Sequence, residues 1–238
     1  MSLKLTEYTL LADVKKDLKL VFLADLHNHP NRPILSAIKT ANADAVLVGG
    51  DFIHNALMNE CGFEFLSKSA KMLPTFCSIG NHEWNYFGDL RQRILKTGAK
   101  ILDDDFVTFE GINIGGLTSG YFSMSKARTP NTDFLTDFSR LKGYKLLLCH
   151  HPEYYPKYIK ALPIDLTLSG HAHGGQWRLF GRGAYAPGQG IFPKYTKGIY
   201  DGRLIVTSGV GNVYSVPKIN NPPEILKINL QRAKNKVK

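Results

Sequence analysis

The chain has 238 residues, 43% hydrophobic and 21% charged. That balance excludes a disordered or low-complexity protein and suits one core, below the roughly 250 residues at which chains tend to split. The formal net charge of +10 favours anionic partners (phosphorylated metabolites, nucleic acid or an anionic membrane surface) without choosing among them.

Near the N-terminus, Lys4, Glu7, Asp13 and Lys15 interrupt any signal-peptide core. No apolar run anywhere reaches the roughly 18 residues of a membrane span. The expected location is the cytoplasm, with peripheral contact at a membrane as the second expectation and no obligate protein partner. Leu18 to Ala24 is an apolar run ending at Asp25, and Ala45 to Val48 ends at Gly49-Gly50-Asp51. Thr75 to Ile79 ends at Gly80-Asn81-His82. Short, β-branched or aromatic and bounded by turn residues, these three read as buried strands.

Between them the spacing predicts helices. Asn31 is placed to cap one, with Pro33 in its first turn and Ile34, Leu35 and Ile38 on one face. Phe87, Leu90, Ile94 and Leu95 form a second face, stopped by Gly98. Asp25, Asp51 and Asn81 therefore stand at intervals of about 30 residues, each the length of one strand, helix, strand unit. In a parallel sheet the C-terminal strand ends share one edge, where ligands bind.

Phe106 to Thr118 reads as a hairpin turning at Glu110-Gly111. Thr132 to Leu141 reads as a helix with Gly143 as its stop. Lys145 to Cys149 is a strand ending at His150, and Leu166 to Leu168 one ending before Gly170-His171. Strands at Leu204 to Thr207 and Glu224 to Leu230 follow, and residues 1–238 read as a single domain. Cys61, Cys77 and Cys149 form no Cys-x-x-Cys pair and are expected to be free thiols, the last two buried. Gly181 to Lys197, rich in glycine, aromatic and basic residues, suits either a substrate-contacting lid or a packed surface loop. Lys227, Arg232, Lys234, Lys236 and Lys238 read as a solvated tail without matching acids.

Five strand-end motifs carry the chemistry: Asp25-Leu26-His27, Gly50-Asp51, Gly80-Asn81-His82-Glu83, His150 and Gly170-His171-Ala172-His173. Leaving Glu83 aside, they supply two carboxylates, one amide and several imidazoles, donors that suit divalent manganese, iron or zinc. A structural zinc site needs four ligands, usually with cysteine among them. The surplus here fits two metal ions better than one.

In this order and spacing the motifs resemble the calcineurin-like metallophosphoesterases, from about Leu18 to the end of the chain. That resemblance implies a four-layer α/β/β/α sandwich, in which two mixed β-sheets pack face to face between helices. It implies that Asp25, His27 and His173 hold one metal, that Asn81, His150 and His171 hold the other, and that Asp51 bridges both. A bridging carboxylate can hold cations about 3.5–4 Å apart, close enough to share one hydroxide for attack on phosphorus. His82 is implied as the catalytic group over the leaving oxygen, and Glu83 reads as a hydrogen-bond partner rather than a ligand. His29, His54 and His151 lie beside the motifs, and His54 is the strongest further candidate among them.

Residues 168–176 and Asn220-Asn221-Pro222-Pro223-Glu224-Ile225 further resemble a bacterial phosphodiesterase branch, related to hydrolases of the pyrophosphate bond of UDP-2,3-diacylglucosamine. The implied partner is an anionic phosphoester substrate, with a nuclease or a lipid-linked nucleotide-sugar pyrophosphatase as alternatives. Two other classes are weighed against it. Asp25-Leu26-His27-Asn28-His29 could open a barrel-type amidohydrolase, which would require eight repeated strand and helix units. A non-catalytic metal-binding module would have no use for His82.

Overall fold

A computed structural model describes residues 2–27, 29–54, 60–85, 89–120, 122–123, 126–127, 129–212 and 217–233, with backbone only at 122–123 and 126–127. Asn28, Phe87 of the expected helix face, and Lys234, Lys236 and Lys238 of the expected tail lie outside the described residues. The strands are β1 (Lys4–Ala12), β2 (Leu18–Leu23), β3 (Ala45–Gly49), β4 (Thr75–Ser78), β5 (Lys100–Leu102), β6 (Asp105–Phe109), β7 (Ile112–Leu117), β8 (Lys145–Cys149), β9 (Leu166–Ser169), β10 (Gly198–Tyr200), β11 (Leu204–Val206) and β12 (Glu224–Arg232). The helices are α1 (Asn31–Ala41), α2 (Glu60–Met72), α3 (Leu90–Thr97) and α4 (Thr132–Ser139).

Two six-stranded sheets form, ordered β1-β12-β2-β3-β4-β5 and β10-β11-β9-β8-β7-β6. Each contains a run of four parallel strands, β2 to β5 in the first and β11, β9, β8 and β7 in the second. The period-2 alternation of strands sorts their side chains. Leu20, Phe22 and Leu47 face inward, where they meet Ile114, Leu146 and Leu148 of the second sheet. Val21, Leu23, Val46 and Val48 face outward under Ile34, Ile38, Leu66 and Ile94 of the first three helices. Leu147 and Cys149 lie against Leu135 and Phe138 of α4. The layers are therefore α/β/β/α, and the barrel alternative falls. Each fully buried Leu, Ile or Phe contributes about 1.5–3 kcal/mol, which gives the strand ends a rigid base.

Several local expectations need correction. Asn31 is the first helical residue of α1 rather than its cap, because Pro30 takes the cap position. Its buried amide donates instead to the Cys61 carbonyl at 2.9 Å. The α4 helix ends at Ser139 with Arg140 as its C-cap, before Gly143, whose φ of +86° serves the following turn. Lys227 is no tail residue: it lies in β12 and pairs with Glu7 at 3.2 Å. Residues 181–197 contribute to two short antiparallel ribbons, Arg178–Leu179 with Arg182–Gly183 and Tyr185–Ala186 with Gly190–Ile191. Among the described residues, no helix is long and apolar enough to cross a membrane. All three cysteines are free, with Cys77 and Cys149 buried.

Candidate metal centre

The motifs follow the parallel strands directly: Asp25 and His27 after β2, Asp51 after β3, Asn81 and His82 after β4, His150 after β8, and His171 and His173 after β9. Because both parallel runs end at the same edge of the sandwich, residues 146 positions apart meet there. The His171 amide N–H lies 3.1 Å from both carboxylate oxygens of Asp25.

Donor atoms cluster in overlapping groups of three. Asp25, His27 and His173 form one, Asp25, Asp51 and His150 another, and His150, His151 and His171 a third, with the atoms of each within 4.8 Å of one another. His150 Nε2 lies 3.0 Å from Asp51 Oδ2 and 3.8 Å from Asp25 Oδ1. His27 Nε2 lies 3.6 Å from Asp51 Oδ2, and His173 Nε2 lies 3.5 Å from Asp25 Oδ1. All of these side chains are buried.

The backbone is contorted to place them. Asp25, His27, Asp51, His171 and His173 all have positive φ, between 36° and 62°. Such residues cost on the order of 1–3 kcal/mol each and gather at functional sites. Two close approaches require glycine. A Cβ on Gly80 would lie 2.2 Å from Asp51 Oδ1, and one on Gly170 would lie 2.7 Å from Asp25 Oδ2.

Secondary contacts set the ring orientations. His150 Nδ1 lies 2.7 Å from the Gly49 carbonyl, so it carries the proton and turns Nε2 toward the carboxylates. Asp51 Oδ1 accepts the His82 amide N–H at 2.9 Å, and His82 Nδ1 bonds to the His54 carbonyl. His82 Nε2 is thereby held 4.0 Å from Asp51 Oδ2. Glu83 is buried and accepts the amides of Asp51 and Gly80, so it positions the turns that carry them. Asn221 donates to the His173 carbonyl at 2.6 Å, which gives the Asn-Asn-Pro-Pro-Glu segment its place in the site.

Electrostatics fit the same arrangement. Burial alone would raise both aspartates, but the neighbouring imidazoles hold Asp25 and Asp51 below the usual carboxylate range. Burial would lower His150, yet the adjacent Asp51 and Asp25 charges lift it to about 10. Burial pushes His171 and His173 down to about 3, leaving neutral rings of the kind that bind metal. Both ring nitrogens of His27 are buried with no hydrogen-bond partner among the described residues. Unpaired buried nitrogens facing paired carboxylates are costly unless a cation completes them, so the residues fit divalent metal.

Two residues that received little weight from sequence are drawn in. His151 stacks on His171 with ring centroids 4.1 Å apart, and its Nε2 lies 3.3 Å from Asn81 Oδ1. Glu153, which no motif marked, is buried with its Oε1 3.3 Å from His151 Nδ1 and 3.9 Å from His171 Nε2. Its only sequence signal is an acid three residues past His150. The His54 ring stacks on His82 at 5.5 Å, while His29 Nδ1 lies 3.2 Å from the carbonyl of its neighbour Pro30.

The chain is similar to known proteins along most of its length. A family model described as calcineurin-like phosphoesterase matches residues 18–175. Phosphodiesterase YaeI of Escherichia coli (strain K12) is 29% identical over 239 residues, covering 89% of this chain and 82% of its own length. The uncharacterized metallophosphoesterase Cj0846 of Campylobacter jejuni is 28% identical across 93% of this chain, which spans 61% of that relative.

Proposed function

The chain belongs to the calcineurin-like phosphoesterase family, and on that premise we propose that it hydrolyses phosphodiesters with two divalent cations. The observation that carries this reading is the meeting of Asp25 and Asp51 around His150 Nε2, at 3.8 and 3.0 Å. Each carboxylate also faces imidazoles of its own. Asp25, His27 and His173 would hold one cation, Asn81, His150 and His171 the other, with Asp51 between them. When bound, such cations supply Lewis acidity to phosphoryl oxygens and bring the pKa of water toward neutrality.

The remaining work falls to the chain. Glu83 and the Gly80 contact fix where the Asp51 carboxylate points. The amide of Asn81 offers an oxygen without adding negative charge, which keeps the site attractive to an anionic substrate. His82 donates its Nδ1–H to the His54 carbonyl, so in its imidazolium form it would present Nε2–H as the proton given to the departing oxygen, returning to the neutral ring. A diester rather than a monoester is favoured by the likeness to YaeI, which is named as a phosphodiesterase and is matched along most of both chains.

The test is turnover of bis-p-nitrophenyl phosphate beside p-nitrophenyl phosphate, using chelated protein given back manganese. Metal-dependent turnover that favours the diester supports the reading, with nucleic acids and lipid-linked nucleotide sugars as the next substrates. A preference for the monoester would overturn the diester assignment. Two bound metals with no turnover of either compound would point to a narrow natural substrate or a binding role.

A further inference from the structure

Beyond the metal centre, the two ribbons after His173 have a composition and shape that the chemistry above does not use. Between Asp165 and Asp201 the chain has no acidic residue, yet it carries Arg178, Arg182, Lys194 and Lys197. Arg178 and Lys197 are occupied, Arg178 donating to the Gly174 carbonyl at 2.7 Å and Lys197 pairing with Glu224 at 2.7 Å. Arg182 and Lys194 are exposed and form no close salt bridge among the described residues, Lys194 lying over the Tyr195 ring at 5.2 Å and acting on Asp201 only through space.

The apolar residues at the ribbon ends point the wrong way for a folded core. Phe180 is fully exposed, Phe192 and Ile191 are 77% and 76% exposed, and Leu179 is 57% exposed. Phe180 and Phe192 also have φ values of +49° and +51°. A bulky side chain pays for a left-handed backbone, and here no burial offsets that cost. Gly181, Arg182, Phe192 and Lys194 line one open cavity of about 360 Å³, so the two ends share a face. The base of the ribbons is firm, because the Ala184 N–H donates to the Gly175 and Trp177 carbonyls at 3.0 and 2.8 Å. That base begins at Gly175, two residues after His173.

We propose that this face docks on an anionic lipid bilayer, with Phe180 and Phe192 entering the interface and Arg182 and Lys194 at the headgroups. Charge complementarity selects the occupant, since an acid-free basic segment on a chain of net charge +10 meets a negative surface. Shape agrees. A bilayer accepts protruding apolar side chains wherever they stand, whereas a protein partner must offer a matched socket. The inference does not depend on which phosphoester is cleaved.

The experiment is co-sedimentation of the full chain with phosphatidylcholine vesicles and with vesicles that also contain phosphatidylglycerol. The chain is expected to bind the anionic vesicles preferentially and to release as salt rises. F180S/F192S is expected to lower partitioning at least about tenfold. R182Q/K194Q is expected to lower it by roughly fivefold per charge, on anionic vesicles alone. Hydrolysis of bis-p-nitrophenyl phosphate without vesicles should match wild type in both variants, which separates a docking defect from a catalytic one. No binding of the wild type to anionic vesicles overturns the proposal, as does equal binding by F180S/F192S. A shift of F180S/F192S from dimer to monomer in solution, with vesicle binding unchanged, would assign the face to a second copy instead. Should F180S/F192S fail to fold, the salt dependence and R182Q/K194Q decide alone.

Discussion

The carboxylate of Glu83 accepts the amide N–H of Asp51 at 2.9 Å, and two further turns depend on the same group. Its Oε2 also takes the Gly80 N–H at 2.7 Å, while Oε1 takes the Ile53 N–H at 3.2 Å. Burial, with the Asp51 charge beside it, raises the Glu83 carboxyl above its ordinary range. Glu83→Ala leaves three buried donors without their acceptor, each worth about 1–3 kcal/mol when orphaned. Allowing for water entering the space, we expect a loss on the order of 3 kcal/mol in urea unfolding, together with weaker metal binding. Unchanged stability would mean that the turn holds itself.

Asp51→Asn and His82→Ala separate binding from chemistry. In the proposed arrangement Asp51 serves both cations, so Asp51→Asn should lower the occupancy of both together. Elemental analysis after dialysis reads this directly, and two metals retained per chain would remove the bridging role. His82 touches no metal there. His82→Ala should keep both cations while turnover of a diester falls by about 10²–10⁴. Full activity in that variant would eliminate His82 as the proton donor.

Gly80 acts by having no side chain. Its φ is not in the left-handed region, so Gly80→Ala is a steric test alone. The new Cβ would stand 2.2 Å from Asp51 Oδ1 and 2.9 Å from Glu83 Oε2. Overpacking of this kind costs about 1–3 kcal/mol, and we expect the displaced carboxylate to weaken metal binding more than tenfold. Gly190→Ala is the contrast. It is strained at φ +77° but open within 4 Å, so it should cost about 1 kcal/mol and leave metal binding unchanged. Equal metal affinity in both variants would refute the steric account.

What could be read in advance follows from which signals are local. The strands carrying Asp25, Asp51, Asn81, His150 and His171 announce themselves, because a strand buried on both faces is a short, mainly apolar run, closed by glycine before Asp51, Asn81 and His171 and directly by the polar ligand candidate at Asp25 and His150. The hairpin at Glu110-Gly111 was equally legible, and both residues have positive φ. By contrast, β1 was missed, since its half-exposed alternation of Thr, Glu and Tyr is paid back only by a parallel partner at Glu224–Arg232. Helix α2 was missed because Gly62 and small polar residues dilute its pattern, and Gly62 is needed where it packs on the Phe52 carbonyl. Glu153 joins the site through His171, one strand further along the chain, and His151 through Asn81, 70 residues earlier, contacts that no local motif encodes.

Lys218 gives a pH dependence of known sign. It is buried, with Nζ donating to the Ser208 and Gly209 carbonyls at 2.8 and 3.3 Å. Burial lowers its pKa to about 8, against a smaller opposing pull from Asp25. Below that value the lysine is charged in both folded and unfolded chains, and the cost of burying the cation is borne in full. Between about pH 8 and the ordinary lysine value near 10.4 the unfolded chain holds the extra proton, so stability rises with pH. The rise amounts to at most about 3 kcal/mol, at 1.36 kcal/mol per unit. Urea unfolding of wild type and Lys218→Met across that window isolates it, because the buried tyrosines Tyr144 and Tyr154 titrate alike in both and cancel in the difference. Wild type should gain on the variant as pH climbs, since methionine has no proton to lose. A difference that stays flat would place the Lys218 ammonium in better solvation than its two carbonyl contacts provide.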